Sequence, residues 1–166
     1  MPEEAHPGAV EAAVAGTDDV LSLAAQLCFA LYSTSRSMTA AYRPYLDAMR
    51  VTYPQYLTLL ALWENPGMTM KQLADRLRLD YGTVSPLVQR LQARGLVESV
   101  RSTHDRRAVQ LHATEAGLAL EQQARQMIAA VLAEVGYSIE TVTELRDQVN
   151  ALGARLDTIV AQRAAR

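Results

Sequence analysis

One side chain in this sequence can act as a redox-active nucleophile: Cys28, the only cysteine among 166 residues. A single thiol cannot close an intramolecular disulfide, so any disulfide it forms must join it to another molecule. Tyr32 follows four residues later, a spacing that puts both side chains on one face of a helix. Tyr42 points the same way on a regular helix, but fourteen residues rise about 21 Å, too far to touch the sulfur of its own chain. In a two-fold dimer, the partner subunit's Tyr42 can close that gap. Phenols that donate hydrogen bonds to sulfur favour thiolate over thiol, and thiolate attacks a peroxide oxygen to give sulfenic acid. A lone cysteine on an amphipathic helix is also commonly a small buried hydrophobe, and tyrosines at helical spacing are commonly core. Spacing alone leaves both readings open.

A second constellation is electrostatic. The formal net charge is −2, yet residues 71–107 hold eight basic and four acidic side chains, leaving +4 there and −6 elsewhere. Phosphate responds to the local field, which decays over about 8 Å at physiological salt, so this asymmetry outweighs the total. Within the basic stretch, Gly82, Thr83 and Ser85 can face phosphate at a helix start, with Gln89 and Arg90 one turn further on. Gln suits adenine and Arg suits guanine in the major groove. Arg106 and Arg107 stand in a polar stretch, where Arg107 can enter a narrow minor groove while Asp105 holds its guanidinium. Taken alone, residues 82–90 also fit an ordinary solvated helix face.

The elements that must position these groups follow from periodicity. Val20, Leu23, Leu27, Leu31 and Met38 predict a long first helix from Val20, capped by Asp18 or Asp19 and ending or kinking at Pro44. Thr52 and Pro54 start a second helix, which Asn65-Pro66-Gly67 stops. Thr69 opens a short helix with Leu73, Ala74 and Leu77 inward. A turn at Leu79 to Tyr81 leads to a helix beginning at Gly82 or Thr83 and ending at Gly95, with Pro86 in its first turn. Two short helices joined by a tight turn make a helix-turn-helix. Leu96 to Val100 and Val109 to Ala113 alternate as strands around Arg101 to Arg107, a hairpin wing with a charged tip. Thr114 starts a helix reaching about Val135, Gly136 breaks it, and Ile139 to Ile159 carry a last amphipathic stripe.

The expected fold class is mainly α with a small β-hairpin wing, a winged helix-turn-helix with helical dimerisation arms. Residues 1–19 read as a flexible acidic tail and 20–166 as a single domain, with arms at about 20–50 and 115–163 and the winged unit at about 52–114. The arms carry more apolar face than one small domain covers, which predicts a homodimer. Such a dimer spaces two recognition helices for a pseudo-palindromic double-stranded operator.

Residues 69–117 resemble the multiple-antibiotic-resistance regulator (MarR) family, most specifically through DRRAVQLHATEAG at residues 105–117. In that pattern Asp105 and Arg107 mark the wing, and Thr114 to Gly117 lead into the dimerisation helices. Residues 27–64, LCFALYSTSRSMTAAYRPYLDAMRVTYPQYLTLLALWE, look like the organic-hydroperoxide-resistance regulator (OhrR) branch. The resemblance implies that Cys28 is the peroxide-reactive residue, an organic hydroperoxide the inducer, and oxidation the signal that releases DNA. It also implies that the partner subunit's Tyr42 and the partner subunit's Tyr53 hydrogen-bond to Cys28, with Tyr32 nearby. Some members carry a second, resolving cysteine; this chain resembles the one-cysteine kind, so a low-molecular-weight thiol would cap the sulfenic acid as a mixed disulfide.

Other functions are weaker on this sequence. A repressor released by a small phenolic or aromatic ligand keeps the same fold without the thiol. A thiol peroxidase would need an α/β pattern and resolving chemistry that are missing, so no enzyme is expected. His6, His104 and His112 show no ligand spacing, so neither a metal nor a cofactor is expected. The apolar fraction is 49% and the charged fraction 20%, ordinary values for a globular chain. No apolar run approaches the roughly 20 residues of a membrane span. The acidic start lacks the positive charge of a secretory signal, which makes the cytoplasm the expected location.

Overall fold

The computed structural model describes residues 20–101 and 109–165. The acidic tail, the proposed caps Asp18 and Asp19, and the wing tip with His104, Asp105, Arg106 and Arg107 lie outside the described residues. Six helices run α1 Leu27–Ala48, α2 Tyr53–Glu64, α3 Met70–Leu77, α4 Tyr81–Ala93, α5 Glu115–Val135 and α6 Ile139–Ala164. Three short strands, β1 Met68–Thr69, β2 Val97–Arg101 and β3 Val109–Ala113, form an antiparallel sheet in the order β1-β3-β2. The chain divides into two units, Met1–Arg43 and Pro44–Arg166.

In the first unit the helix starts later than periodicity predicts. Ser22 caps a single 3-10 turn at Leu23–Ala25, and Gln26 then goes extended, at φ −82° and ψ 113°. The Gln26 side chain donates back to the Val20 carbonyl, which holds the break closed. Helix α1 therefore begins at Leu27, and Cys28 falls in its first turn instead of its second or third. Pro44 does not end the helix either, because α1 continues to Ala48. A proline removes only its own N–H donor, and beyond it Leu46 and Met49, each 4% exposed, anchor the last turn.

The second unit holds the winged-helix core. Leu59, Leu62, Leu73, Val84, Val88, Leu91, Leu111 and Met127 are all less than 2% exposed, drawing α2, α3, α4, β3 and α5 around one interior. Each such side chain contributes about 1.5–3 kcal/mol by leaving water, so these contacts fix the helix-turn-helix. Helices α2 and α3 start with the same device. Thr52 and Thr69 accept hydrogen bonds from the third amide onward, while Gln55 and Gln72 reach back to the cap amides. Strand β1 was not expected from sequence. Its two residues pair with β3 as Met68 to Leu111 and Thr69 to Gln110, too short to leave a periodic signal.

Helices α1, α3 and α4 end alike. Their following residues Arg50, Arg78 and Gly95 take φ of 59°, 54° and 67°. The amide after each, of Val51, Leu79 and Leu96, returns to a carbonyl five residues back, at 3.0 Å in all three cases. This is the paired C-terminal motif that a left-handed residue permits. Only the third uses glycine; Arg50 and Arg78 each carry a backbone cost of order 1 kcal/mol.

The start of α5 is tied to the end of α4. Thr114 caps α5 by accepting the Gly117 amide at 3.1 Å and donates its own hydroxyl to the Gly95 carbonyl at 2.6 Å. Its amide donates to the Leu96 carbonyl at 3.1 Å. Gly117 packs so closely that a β-carbon there would stand 2.1 Å from that same Leu96 oxygen. Across the contact, the indole N–H of Trp63 donates to the Gly117 carbonyl at 3.1 Å. The Thr-Glu-Ala-Gly step is thus a backbone-to-backbone weld.

Two glycine-to-alanine changes should separate steric from conformational cost. Gly117→Ala meets backbone and should lower stability by about 3 kcal/mol or more. Gly95→Ala meets nothing within 4 Å. It pays only for its positive φ, about 1 kcal/mol. Urea unfolding of the two variants checks the ordering, and equal losses would contradict the weld.

Candidate nucleic-acid interface and thiol site

Helix α4 presents a divided surface. Val84, Val88 and Leu91 are buried, while Gly82, Thr83, Gln89 and Arg90 are exposed and Ser85 is half-buried. All five residues singled out from the sequence therefore lie off the core face of one helix. The helix begins at Tyr81, one or two residues before its predicted start, because Asp80 is the N-cap. Asp80 accepts the Thr83 amide at 2.9 Å and the Thr83 hydroxyl at 2.7 Å. The Thr83 side-chain and backbone donors hold the Asp80 carboxyl below the usual aspartate range. Thr83 therefore spends its hydroxyl hydrogen within the protein and offers an incoming phosphate only its remaining surface. Asp80, spaced three residues before a threonine, carried a cap signal that Gly82, two residues on, obscured.

The basic side chains divide into two groups. Arg76 pairs with Glu64 at 2.6 Å and Arg78 with Asp157 at 3.0 Å. Arg94 donates to the backbone carbonyls of Arg50 and, at 3.4 Å, Met49. Lys71, Arg90 and Arg101 form no ion pair among the described residues. Arg101 is the last residue of β2, opposite Val109, so the ladder carries it toward the wing. Gln92 ties α4 to that strand through Ser99 at 2.6 Å. Helix and wing are thus braced together, and half of the described cations counted in the sequence are available to an outside anion.

In the first unit, Cys28 is a free, exposed thiol. Tyr32 lies one turn on and is exposed; its phenolic oxygen accepts a hydrogen bond from the Arg36 guanidinium at 3.0 Å. The guanidinium carbon also stands 5.6 Å from the ring centroid. A phenol that accepts from arginine keeps its own hydrogen for another acceptor. Arg36 was missed in the sequence, although its four-residue spacing from Tyr32 was readable. Tyr42 lies in the last third of α1. Tyr53, in the second unit, opens α2 with its ring centroid 6.1 Å from that of Tyr56. Cys28 and Tyr32 thus share one helix, while Tyr53 belongs to a different unit of the chain.

Among the described residues there is no group of three His, Cys, Asp or Glu side chains able to hold a metal. Nor is any helix among them long and apolar enough to cross a membrane.

Residues 51–108 match the MarR family. The organic hydroperoxide resistance transcriptional regulator of Bacillus subtilis (strain 168) is 40% identical over 141 residues, covering 85% of this chain and 94% of that protein. The HTH-type transcriptional regulator TtmR of Methylorubrum extorquens (strain PA1) is 38% identical over 143 residues, covering 82% and 73%. Among solved structures, reduced AbfR bound to DNA superimposes with a TM-score of 0.68 at 29% identity, covering 84% of this chain and 98% of that one. AbfR is a protein of Staphylococcus epidermidis. The first two relatives are transcriptional regulators by name.

The Asp80 cap makes a pH-dependent prediction. Its folded-state carboxyl is the more acidic, so the stabilisation is complete above the unfolded aspartate's range and is lost as pH falls through the folded value. Asp80→Ala should melt earlier than wild type at neutral pH, with Asp80→Asn close to wild type, since asparagine also caps. The gap between wild type and Asp80→Ala should narrow as the pH drops below the aspartate range. Thermal melts across that range check it; a gap independent of pH would refute the charge contribution.

Proposed function

The chain belongs to the MarR family of DNA-binding transcriptional regulators, and from that premise we propose that it is a homodimeric repressor released from DNA when an organic hydroperoxide oxidises Cys28. The observation that carries this reading is the placement of the only cysteine. It is exposed in the first turn of α1, with an arginine-held tyrosine one turn on.

The dimer is supported by what the single chain leaves uncovered. No residue of α6 is buried, and Ile139, Leu145, Val149, Leu156 and Ile159 are 42–72% exposed along it. Helix α1 exposes Leu27, Phe29, Tyr32 and Met38. Covering such faces stabilises by about 25 cal/mol per Å² of apolar area, and a second copy supplies the matching surface. In this arrangement residues of about 20–50 and 115–163 are the arms, and residues of about 52–114 are the reading head. The exposed cations Lys71, Arg90 and Arg101, with Arg106 and Arg107, meet phosphate and groove; Gln89 and Arg90 meet base edges.

The chemistry balances as two steps. The Cys28 thiolate attacks the outer peroxide oxygen of a hydroperoxide, the O–O bond breaks, and the leaving alkoxide takes a proton to become an alcohol. Sulfur is oxidised to sulfenic acid and the peroxide is reduced. A small cellular thiol then displaces the sulfenic oxygen as water and leaves a mixed disulfide. Hydrogen bonds from Tyr32, and from the partner subunit's Tyr42 and the partner subunit's Tyr53, would hold the thiolate before attack. An adduct on a packed interface forces the α1 helices apart and changes the spacing of the two reading heads.

Cys28→Ser should bind DNA within about two-fold of wild type. Wild type should lose about ten-fold or more in affinity after treatment with an organic hydroperoxide and a small thiol, whereas the variant should not respond. A gel-shift titration paired with intact-mass analysis measures both. Normal release by the serine variant would sink the thiol switch, and release by aromatic acids irrespective of Cys28 would favour a ligand-controlled repressor. Tyr32→Phe, with the thiol intact, should slow oxidation by about ten-fold while leaving DNA affinity unchanged.

A further inference from the structure

Arg94 stands in the basic stretch that the sequence assigns to DNA, but in the structure its guanidinium is engaged by the protein's own backbone, although the residue itself is exposed. It follows α4 directly as the C-cap, and its guanidinium donates to the carbonyls of Arg50 and Met49, 44 and 45 residues upstream. Those two carbonyls follow the last turn of α1, where aligned peptide dipoles leave negative charge that a guanidinium fork satisfies. The receiving end is rigid. Leu46, Met49 and Val51 are 4%, 4% and 5% exposed. Arg50 sits in the left-handed conformation that turns its carbonyl out of the helix direction.

The two residues after Arg94 grip a different element. The Gly95 carbonyl accepts the Thr114 hydroxyl, and the Leu96 carbonyl accepts the Thr114 amide while lying against Gly117. Three consecutive residues thus fasten the far end of the recognition helix to the end of α1 on one side and the start of α5 on the other. Arg94 lies beyond the last residue of α4, past Gln89 and Arg90, and its guanidinium is occupied by backbone carbonyls, so it is placed to hold the helix instead of reading bases.

We propose that Arg94 is a positioning residue for DNA recognition: by holding the Met49 and Arg50 carbonyls it sets the angle at which α4 enters the groove, and it makes no phosphate contact. A helix fastened at its far end by a weld and a fork presents Gln89 and Arg90 in one orientation. Without the fork, α4 keeps its buried side chains, the Gln92–Ser99 bond and the Gly95–Thr114 weld, but loses its tie to the end of α1, so its angle is less closely set. The loss then falls on sequence-specific binding, which needs base edges in register, and spares non-specific binding, which needs only charge near the backbone.

The test uses the whole 166-residue chain in its reduced form, so its outcome is independent of any role of Cys28. Two probes serve: a duplex of about 30 base pairs selected by the wild-type protein from a random pool, and a scrambled duplex of the same composition. Arg94→Ala should bind the selected duplex about three- to ten-fold more weakly and the scrambled duplex within two-fold of wild type. Its slope of log affinity against log salt should be unchanged. Arg94→Lys keeps the charge but loses the fork and should recover only part of the affinity. A direct phosphate contact would show the opposite pattern: equal losses on both duplexes, a slope shallower by about 0.9 per contact, and full rescue by lysine. That pattern overturns the proposal, as does a variant that melts earlier yet binds both duplexes like wild type. Should Arg94→Ala fail to fold, Arg94→Lys carries the test: weaker selected-duplex binding with an unchanged slope supports the proposal, and wild-type binding overturns it.

Discussion

The constraint on which the rest depends is the absence of a side chain at Gly117. The first turn of α5 can approach the Leu96 backbone only because no β-carbon intervenes. That approach lets Thr114 bond both carbonyls of the turn that ends the recognition helix. A hydrogen-bonded backbone contact is directional and short, so it transmits displacement in a way that a greasy contact between mobile side chains does not. With Trp63 closing the other side through the Gly117 carbonyl, α2, α4 and α5 meet at one joint. Whatever moves α5 must move the end of α4.

Much of this unit was legible because its signals are local. Thr52, Thr69, Thr114 and Gly136 bound their helices within a residue or two of where the sequence puts them, since a cap is satisfied by amides three residues away. The strands of the wing were readable from alternation. The misses share one physical cause, which is that their partners are remote or their signals compete. Strand β1 is defined by β3, some forty residues on; Arg94 is defined by carbonyls more than forty residues back. Pro44 reads as a stop by its own chemistry, yet the buried Leu46 and Met49 carry the helix through it. At Gln26 the reverse holds: apolar periodicity runs through a break that a side chain's bond to Val20 maintains.

The candidate sites were legible to different depths for the same reason. Which residues of α4 face away from the core follows from helical period alone. How many cations reach DNA does not, because pairing is a three-dimensional property. Arg76 and Arg78 are drawn to Glu64 and Asp157, distant in sequence, and Arg94 to backbone. The field of the reading face is accordingly set by fewer residues than the composition suggests. Those that remain among the described residues, Lys71, Arg90 and Arg101, are spread over α3, α4 and β2. A distribution over three braced elements favours tracking a curved phosphate backbone over binding a single compact anion.

The exposure of Cys28 bears on how a thiol could control such a head. On a solvated helix face, a small adduct costs nothing and moves nothing, because no neighbour has to yield. On a packed face the same adduct requires extra volume where interiors are already close to crystalline density, and the helices must separate. Cys28 shares α1 with Leu27, Phe29 and Met38, all left open by the single chain. Covering those residues and making the sulfur mechanically consequential are therefore the same event. If the chain works as proposed, its one thiol can act on DNA binding only in an assembled pair, and its sensitivity would fall wherever dilution or substitution opened that interface. On the proposed reading, the uncovered apolar face of α6 and the sulfur are then not separate features: assembly would supply the lever, and oxidation would load it.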